Sequence, residues 1–144
     1  MTALKIKKLH PQAKLPVFST TWAAGADLFA TEEAVIRSGE WKAVPTGLAF
    51  EIPNGYEVQI RSRSGLAAKF GVAVLNAPGT IDSDYRGEVK VILINHGPFE
   101  MTVQPGDRIA QMVFAQLAPV HFEEVQELGT TDRGAGGFGS TGTK

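Results

Sequence analysis

Two carboxylates, a tyrosine and an arginine fall within five residues in the run Asp82-Ser-Asp-Tyr-Arg-Gly. That is more polar equipment than a connection between two strands requires, since a turn needs only Asn, Asp or Gly. A second cluster, Arg61-Ser-Arg-Ser-Gly, leads into a short helical pattern ended by Gly71. With Ser64 as its N-cap, the first turn would present unpaired N–H groups and a positive dipole end to an anion, with arginine as bidentate donor. The bland alternative is a capped helix with solvated arginines. A third cluster, Arg133-Gly-Ala-Gly-Gly-Phe-Gly-Ser-Thr-Gly, combines a phosphate donor with glycine backbone and one aromatic that can stack on a base. Such composition commonly forms a disordered terminus, and a mobile tail carrying these groups would equally serve as a lid.

Two single residues join these clusters. Asp27 lies in a small-residue run after Gly25 and reads either as a functional acid or as a turn residue. Gln111 alternates with Ile109 and Val113, so period two puts all three on one strand face, where a glutamine needs a backbone or ligand partner. Some signals are spurious. Residues 134–139 match G-x-G-x-x-G, but no βαβ unit surrounds them and too few residues follow for a helix. His10, His96 and His121 have no metal-ligand spacing and read as ordinary loop or strand residues.

The elements that must position these groups are nearly all strands. Turn signals recur every eight to twelve residues, and strand formers occupy residues 41–52, 56–61, 72–75, 89–95, 99–103 and 108–114. Residues 4–7 alternate as an edge strand, Asp27 sits in a short strand, and residues 120–125 read as a last strand. Pro45-Thr-Gly breaks the 41–52 strand, and residues 99–103 read as the antiparallel partner of 90–95. The one helix spans residues 64–70. An all-β barrel or sandwich follows.

At 144 residues the chain fits one domain that buries enough surface to fold unaided. It has no cysteine, which removes disulfides, thiolate metal sites and thiol nucleophiles together. Formal charge is −1 from 14 basic and 15 acidic residues, so no global field attracts nucleic acid and any anion must be held by a local cluster. No signal peptide or membrane span is legible, and a cytoplasmic, soluble protein is the expectation.

Taken together, two arginine-bearing anion sites, an aromatic on an arm and a carboxylate in a polar hairpin describe a nucleotide polyphosphate site with a hydrolytic water. In this combination the chain resembles the trimeric deoxyuridine triphosphatases, the dUTPases. Five motifs stand in the family's order between residues 24 and 142: Ala24-Gly-Ala-Asp-Leu, Arg63-Ser-Gly-Leu-Ala, Asn76 through Gly79-Thr-Ile-Asp-Ser-Asp-Tyr-Arg-Gly, Gly106-Asp-Arg-Ile-Ala-Gln and the arm from Arg133.

The resemblance implies a distorted jelly-roll (β-clip-like) barrel over residues 1–128 with one short helix. It also implies a flexible Gly-rich C-terminal arm over 129–144, and a homotrimer whose active sites are each assembled from three chains. It implies hydrolysis of dUTP to dUMP and pyrophosphate, which lowers dUTP and supplies dUMP for thymidylate synthesis, with no nucleic-acid or membrane partner. Asp82 would be the general base activating water for attack on the α-phosphorus. Arg63, Ser64 and Gly65 would form the phosphate turn, with Ser64 and Gln111 close to the reacting phosphate. Asn76, Gly79, Thr80, Ile81, the Asp82 backbone and Lys90 would line the uracil and sugar pocket, and Tyr85 would pack under the deoxyribose and exclude a 2′-hydroxyl. In the arm, Phe138 would cover the uracil, while Arg133, Gly139, Ser140 and Thr141 would engage the γ-phosphate end. Mg²⁺ would be held mainly by the triphosphate, with Asp27 touching a metal-bound water.

One departure stands out: Ser62 occupies a position where the family often has proline, which is expected to loosen the approach to the phosphate turn. Asp84 and Arg86 are expected to hold the turn, Asp84 through backbone hydrogen bonds and Arg86 by ion pairing. A dCTP deaminase, a silent binding protein on the same scaffold and a carbohydrate-binding jelly roll are the rival readings. None of them accounts as well for Arg133 and Phe138 on a tail.

Overall fold

Strand formers separated by glycine and proline turns make this chain almost entirely β-structure. The computed structural model describes residues 2–142 and contains eleven strands and one helix: β1 (Lys5–Lys8), β2 (Val17–Phe18), β3 (Ala26–Phe29), β4 (Ala34–Ile36), β5 (Trp41–Glu51), β6 (Tyr56–Arg61), α1 (Ser64–Phe70), β7 (Val72–Val74), β8 (Gly79–Ile81), β9 (Glu88–Asn95), β10 (Met101–Val103) and β11 (Arg108–Gln116). Met1, Thr143 and Lys144 lie outside the described residues, the last two at the end of the predicted arm. Three sheets result, ordered β1-β5-β9-β7, β10-β4 and β2-β3-β11-β6-β8, and among the described residues they do not close into one barrel. No helix among the described residues is long and apolar enough to cross a membrane.

The core follows from period-two alternation. Along β9, Val89, Val91 and Leu93 point inward, and along β5 Val44, Leu48 and Phe50 meet them. From β6 and β7 come Val58, Ile60, Val72 and Val74. β5 is a single strand, not the interrupted one expected, because Pro45-Thr46-Gly47 is absorbed as a register shift between Pro45 and Ala49. Thr46 makes the irregularity tolerable: its buried hydroxyl donates to the Val89 carbonyl at 2.6 Å and accepts the Leu48 N–H at 3.3 Å. At the sheet edge Lys5 lies opposite Glu51. The hydrogen bond from the Lys5 ammonium holds the Glu51 carboxyl below its ordinary range.

Two predicted pairings give way to tertiary ones. β10 pairs with β4, not with β9. The cause is Asn95, fully buried at the end of β9, whose Nδ2 donates to Ile36 O at 2.9 Å and Phe99 O at 2.7 Å while Oδ1 accepts from Gly97 N–H at 2.9 Å. This side chain closes the turn and ties it to β4. Residues 120–125 form no strand; Val120 and Phe122 stand exposed with no ladder partner among the described residues. Helix α1 matches expectation in extent and stops at Gly71, whose φ of 67° needs glycine and whose added Cβ would meet Gly97 N at 2.8 Å.

Asn95→Ala would orphan two carbonyls and one N–H in the core. We expect unfolding free energy in urea to fall by about 3 kcal/mol; a loss under about 1 kcal/mol would mean that those groups find other partners.

Candidate functional site

Arg63 begins the phosphate-type turn, and the structure gives its guanidinium a fixed place. Arg63 itself is the N-cap residue of α1, with φ −90° and ψ 126°, and makes no side-chain cap hydrogen bond; Ser64 is the first helical residue, not the cap expected from sequence. The Ser64 hydroxyl is therefore not spent on capping, and Ser64 and Gly65 are both exposed. Arg63 Nε instead donates to Asp27 Oδ1 at 3.0 Å, and Nη1 donates to Arg108 O at 3.2 Å. Two of its five N–H donors are thus anchored and three remain for a ligand.

Asp27 is the hub of this half. Its side chain is 12% exposed, and its Oδ2 accepts from Ser19 Oγ at 3.1 Å and Arg108 Nη1 at 3.4 Å. Pairing of β3 with β11 sets Asp27 opposite Gln111, and pairing of β11 with β6 sets Gln111 opposite Arg61. A register shift between Arg108 and Ala110 turns Ala110 and Met112 into the core, so Gln111 does not share an apolar face with Ile109 as expected. Its Nε2 donates to Ser62 O at 2.9 Å. The glycine at 25 leaves room for the carboxamide, which any Cβ there would strike. Arg63 and Arg108 also border a cavity of about 590 Å³ beside α1, walled by Phe70, Phe99 and Met101.

The second half surrounds the polar turn between β8 and β9, which is not the tight hairpin expected: residues 79–81 form a strand paired with β6, while β9 belongs to another sheet. Thr80, Ile81, Asp82, Tyr85, Glu88 and Lys90 line a cavity of about 510 Å³, of nucleoside scale. Tyr85 OH donates to Glu88 O at 3.0 Å, and its ring lies so close over Gly87 that a Cβ there would fall 2.5 Å from the hydroxyl. Lys90 Nζ is 3.8 Å from Glu88 Oε2, and Glu88 Oε1 accepts the Gly47 N–H at 3.0 Å. Asp82 is exposed, and among the described residues its carboxylate has no hydrogen-bond partner. Arg86 holds the turn by donating to the carbonyls of Ser83 at 2.7 Å and Tyr85 at 3.1 Å, not through the ion pair expected. Asp84 makes no side-chain hydrogen bond among the described residues. Asn76 stands beside Gly79, where an added Cβ would meet Asn76 Nδ2 at 3.3 Å.

The structure does not bring these halves together within one chain. Asp82 follows Ile81, which pairs with Val58 near the start of β6, whereas Arg63 follows its end at Arg61. From Glu57 to Arg61 the strand rises roughly 13 Å. The third cluster stands alone as well. Arg133 Nε donates to Gly136 O at 2.7 Å, and turns at 137–140 and 139–142 follow. Arg133, Phe138, Gly139, Ser140 and Thr141 border a cavity of their own, and Phe138 is fully exposed at φ 52°, a left-handed conformation unusual for a bulky residue.

Sequence reading assigned no part to Ser19, Arg108 or Glu88. Arg108 carried a signal, standing three residues before Gln111 in the same strand. Ser19 carried none, because its bond to Asp27 spans a loop.

The family model for dUTPase matches residues 11–142. The deoxyuridine 5′-triphosphate nucleotidohydrolase of Nautilia profundicola is 58% identical over 139 residues, covering 96% of this chain and 98% of that protein. The Staphylococcus bacteriophage 80alpha dUTPase, solved with dUpNHpp, is similar in structure with a TM-score of 0.91 at 26% identity, covering 99% and 100% of the two chains. The dUTPase of S. aureus phage phi11, solved for the coordination of a structural Mg(II) ion, shares the fold with a TM-score of 0.81 at 23% identity over 88% and 98%.

Asp27→Asn keeps the shape of the hub and removes its charge, leaving two guanidinium groups around a neutral amide. We expect about 3 kcal/mol of lost stability in denaturant unfolding; a loss below about 1 kcal/mol would reduce the pair to the value of an exposed one.

Proposed function

The chain belongs to the dUTPase family, and from that premise we propose that it hydrolyses dUTP to dUMP and pyrophosphate at sites shared between chains. The observation that carries the chemistry is the unpartnered Asp82 carboxylate at the rim of a nucleoside-sized cavity whose wall includes Tyr85 and Lys90. Asp82 takes a proton from water as the water oxygen attacks the α-phosphorus. The new P–O bond forms as the α–β bridging bond breaks, and pyrophosphate leaves. General base catalysis of this type contributes about 10²–10⁴ in rate. Positioning and charge neutralisation by the phosphate turn supply more.

In this reading Thr80, Ile81, Lys90, Gly79 and Asn76 receive uracil and sugar, and the Tyr85 ring, fixed by its bond to Glu88 O, packs under the deoxyribose. A mismatched base would leave buried polar groups unpaired, which is how such a pocket rejects cytosine. Arg63 offers its remaining donors to phosphate, together with Ser64, Gly65 and Gln111. The arm supplies Phe138 over the base and Arg133, Gly139, Ser140 and Thr141 to the γ-phosphate end.

A homotrimer with shared sites is supported by the separation of the two halves along β6. A nucleotide held in the Asp82 cavity of one chain would take a phosphate turn from another, and the arm, joined to β11 by the extended residues 117–128, can reach a third. Exposed Val120 and Phe122 in that connecting segment are suited to a neighbouring surface.

Magnesium fits this site without a protein cage. Among the described residues no group of three His, Cys, Asp or Glu side chains converges, and a triphosphate-bound Mg²⁺ keeps much of its water. Asp27 engages three donors with about four lone-pair positions, which leaves one for a water of the ion. When bound, the ion would neutralise phosphate charge.

Asp82→Asn should lose at least about a hundredfold in turnover while still binding a non-hydrolysable dUTP analogue, measured by pyrophosphate release and calorimetry. Near-normal turnover would remove Asp82 from the base role. A chain ending at Asp132 should also be inactive, and refolding it together with Asp82→Asn should restore part of the activity, because mixed trimers contain sites with an intact base and an intact arm. No recovery in such mixtures would refute shared sites.

A further inference from the structure

Ser62 has no place in the chemistry described above, yet it lies directly before the phosphate turn and is held on two sides. Its hydroxyl accepts the Val74 N–H at 2.9 Å, and its carbonyl accepts Gln111 Nε2 at 2.9 Å. Arg63 follows it directly. Val74 ends β7, which pairs with β9, and the ladder contact on that side is made by the next N–H, from Leu75 to Ile92 O at 2.8 Å. In an antiparallel pair alternate N–H groups point away from the partner strand, so the Val74 N–H faces the open edge of β7. The Ser62 hydroxyl satisfies it there. Val72 and Val74 are buried in the core, which makes β7 a rigid anchor for whatever is attached to its edge.

We propose that Ser62 is a positioning residue for phosphoryl chemistry, bolting the turn that carries Arg63 and Ser64 to the edge of β7 through its hydroxyl and to Gln111 through its carbonyl. This rests on the dUTP hydrolysis proposed above. It also reverses the expectation that serine loosens the turn relative to proline. The ring would stiffen one residue through its own φ, whereas serine stiffens the same point by bonds to two other strands. Only the hydroxyl bond depends on the side chain, since any residue supplies the carbonyl. The substrate's base and sugar bind in the other half of the site, so a loosened phosphate turn should act on the transition state more than on ground-state affinity.

The test compares wild type with Ser62→Ala and Ser62→Thr, the latter keeping a hydroxyl at the same place. For Ser62→Ala we expect kcat for dUTP to fall about tenfold, the size expected for one lost hydrogen bond, with KM changed less than about twofold. The Val74 amide should lose hydrogen-exchange protection, and Ser62→Thr should recover both kcat and protection. Wild-type kcat in Ser62→Ala, or equal losses in Ser62→Thr, would overturn the proposal. So would a parallel rise in KM, which would point to general weakening of the site. A wild-type protein that released no pyrophosphate from dUTP would instead refute the hydrolase reading, and exchange at Val74 would still report whether the bond exists.

Discussion

A buried carboxylate facing two guanidinium groups is the constraint on which the phosphate half depends. Asp27, at 12% exposure, needs hydrogen-bond partners for both carboxylate oxygens, and Arg63 alone would sweep through many rotamers. Together they fix each other. The pair is weak evidence for stability, because desolvating two charges offsets most of their attraction. Its value lies in orientation: Nε and one Nη1 hydrogen are committed inward, so the remaining donors of Arg63 point from a defined position. Ser19 and the more exposed Arg108 complete the carboxylate's coordination from a loop and a neighbouring strand.

The second constraint is the length of β6. Both halves of the candidate site are built against this one strand, the Asp82 half near Val58 and the phosphate half beyond Arg61. A rigid strand cannot fold back to join its own ends. The two halves therefore border separate cavities, and Val120 and Phe122 after β11 stand exposed among the described residues.

Polar residues inside the sheets do the local steering. Asn95 redirects β10 to β4, Thr46 stabilises a register shift in β5, and Gln111 fills the space left by Gly25 to hold Ser62. Asn95 and Thr46 have every side-chain polar atom partnered, Gln111 is held through Nε2, and among the described residues no buried side-chain nitrogen or oxygen is left without a partner. Satisfied buried polar groups select one arrangement of strands from several that apolar packing alone would allow.

The chain by itself determined most elements, because period-two alternation and turn residues act locally: β3, β6, α1 with its Gly71 stop, and the facing strands β7 and β9 are all legible in it. It also carried the chemistry-bearing residues, since the Asp82 turn, the Arg63 turn and the glycine-rich arm are contiguous runs. Only the tertiary structure decided which runs meet. That β10 seeks β4, that Arg63 turns to Asp27 and leaves Ser64 as the first helical residue, and that residues 120–125 join no ladder among the described residues all depend on how distant segments meet. The loop bond from Ser19 to Asp27 and the bolt from Ser62 to Val74 are of the same kind. A hydrogen bond between residues eight positions apart across a loop, or twelve apart across a helix, leaves no periodic trace in the sequence, so geometry alone reveals it.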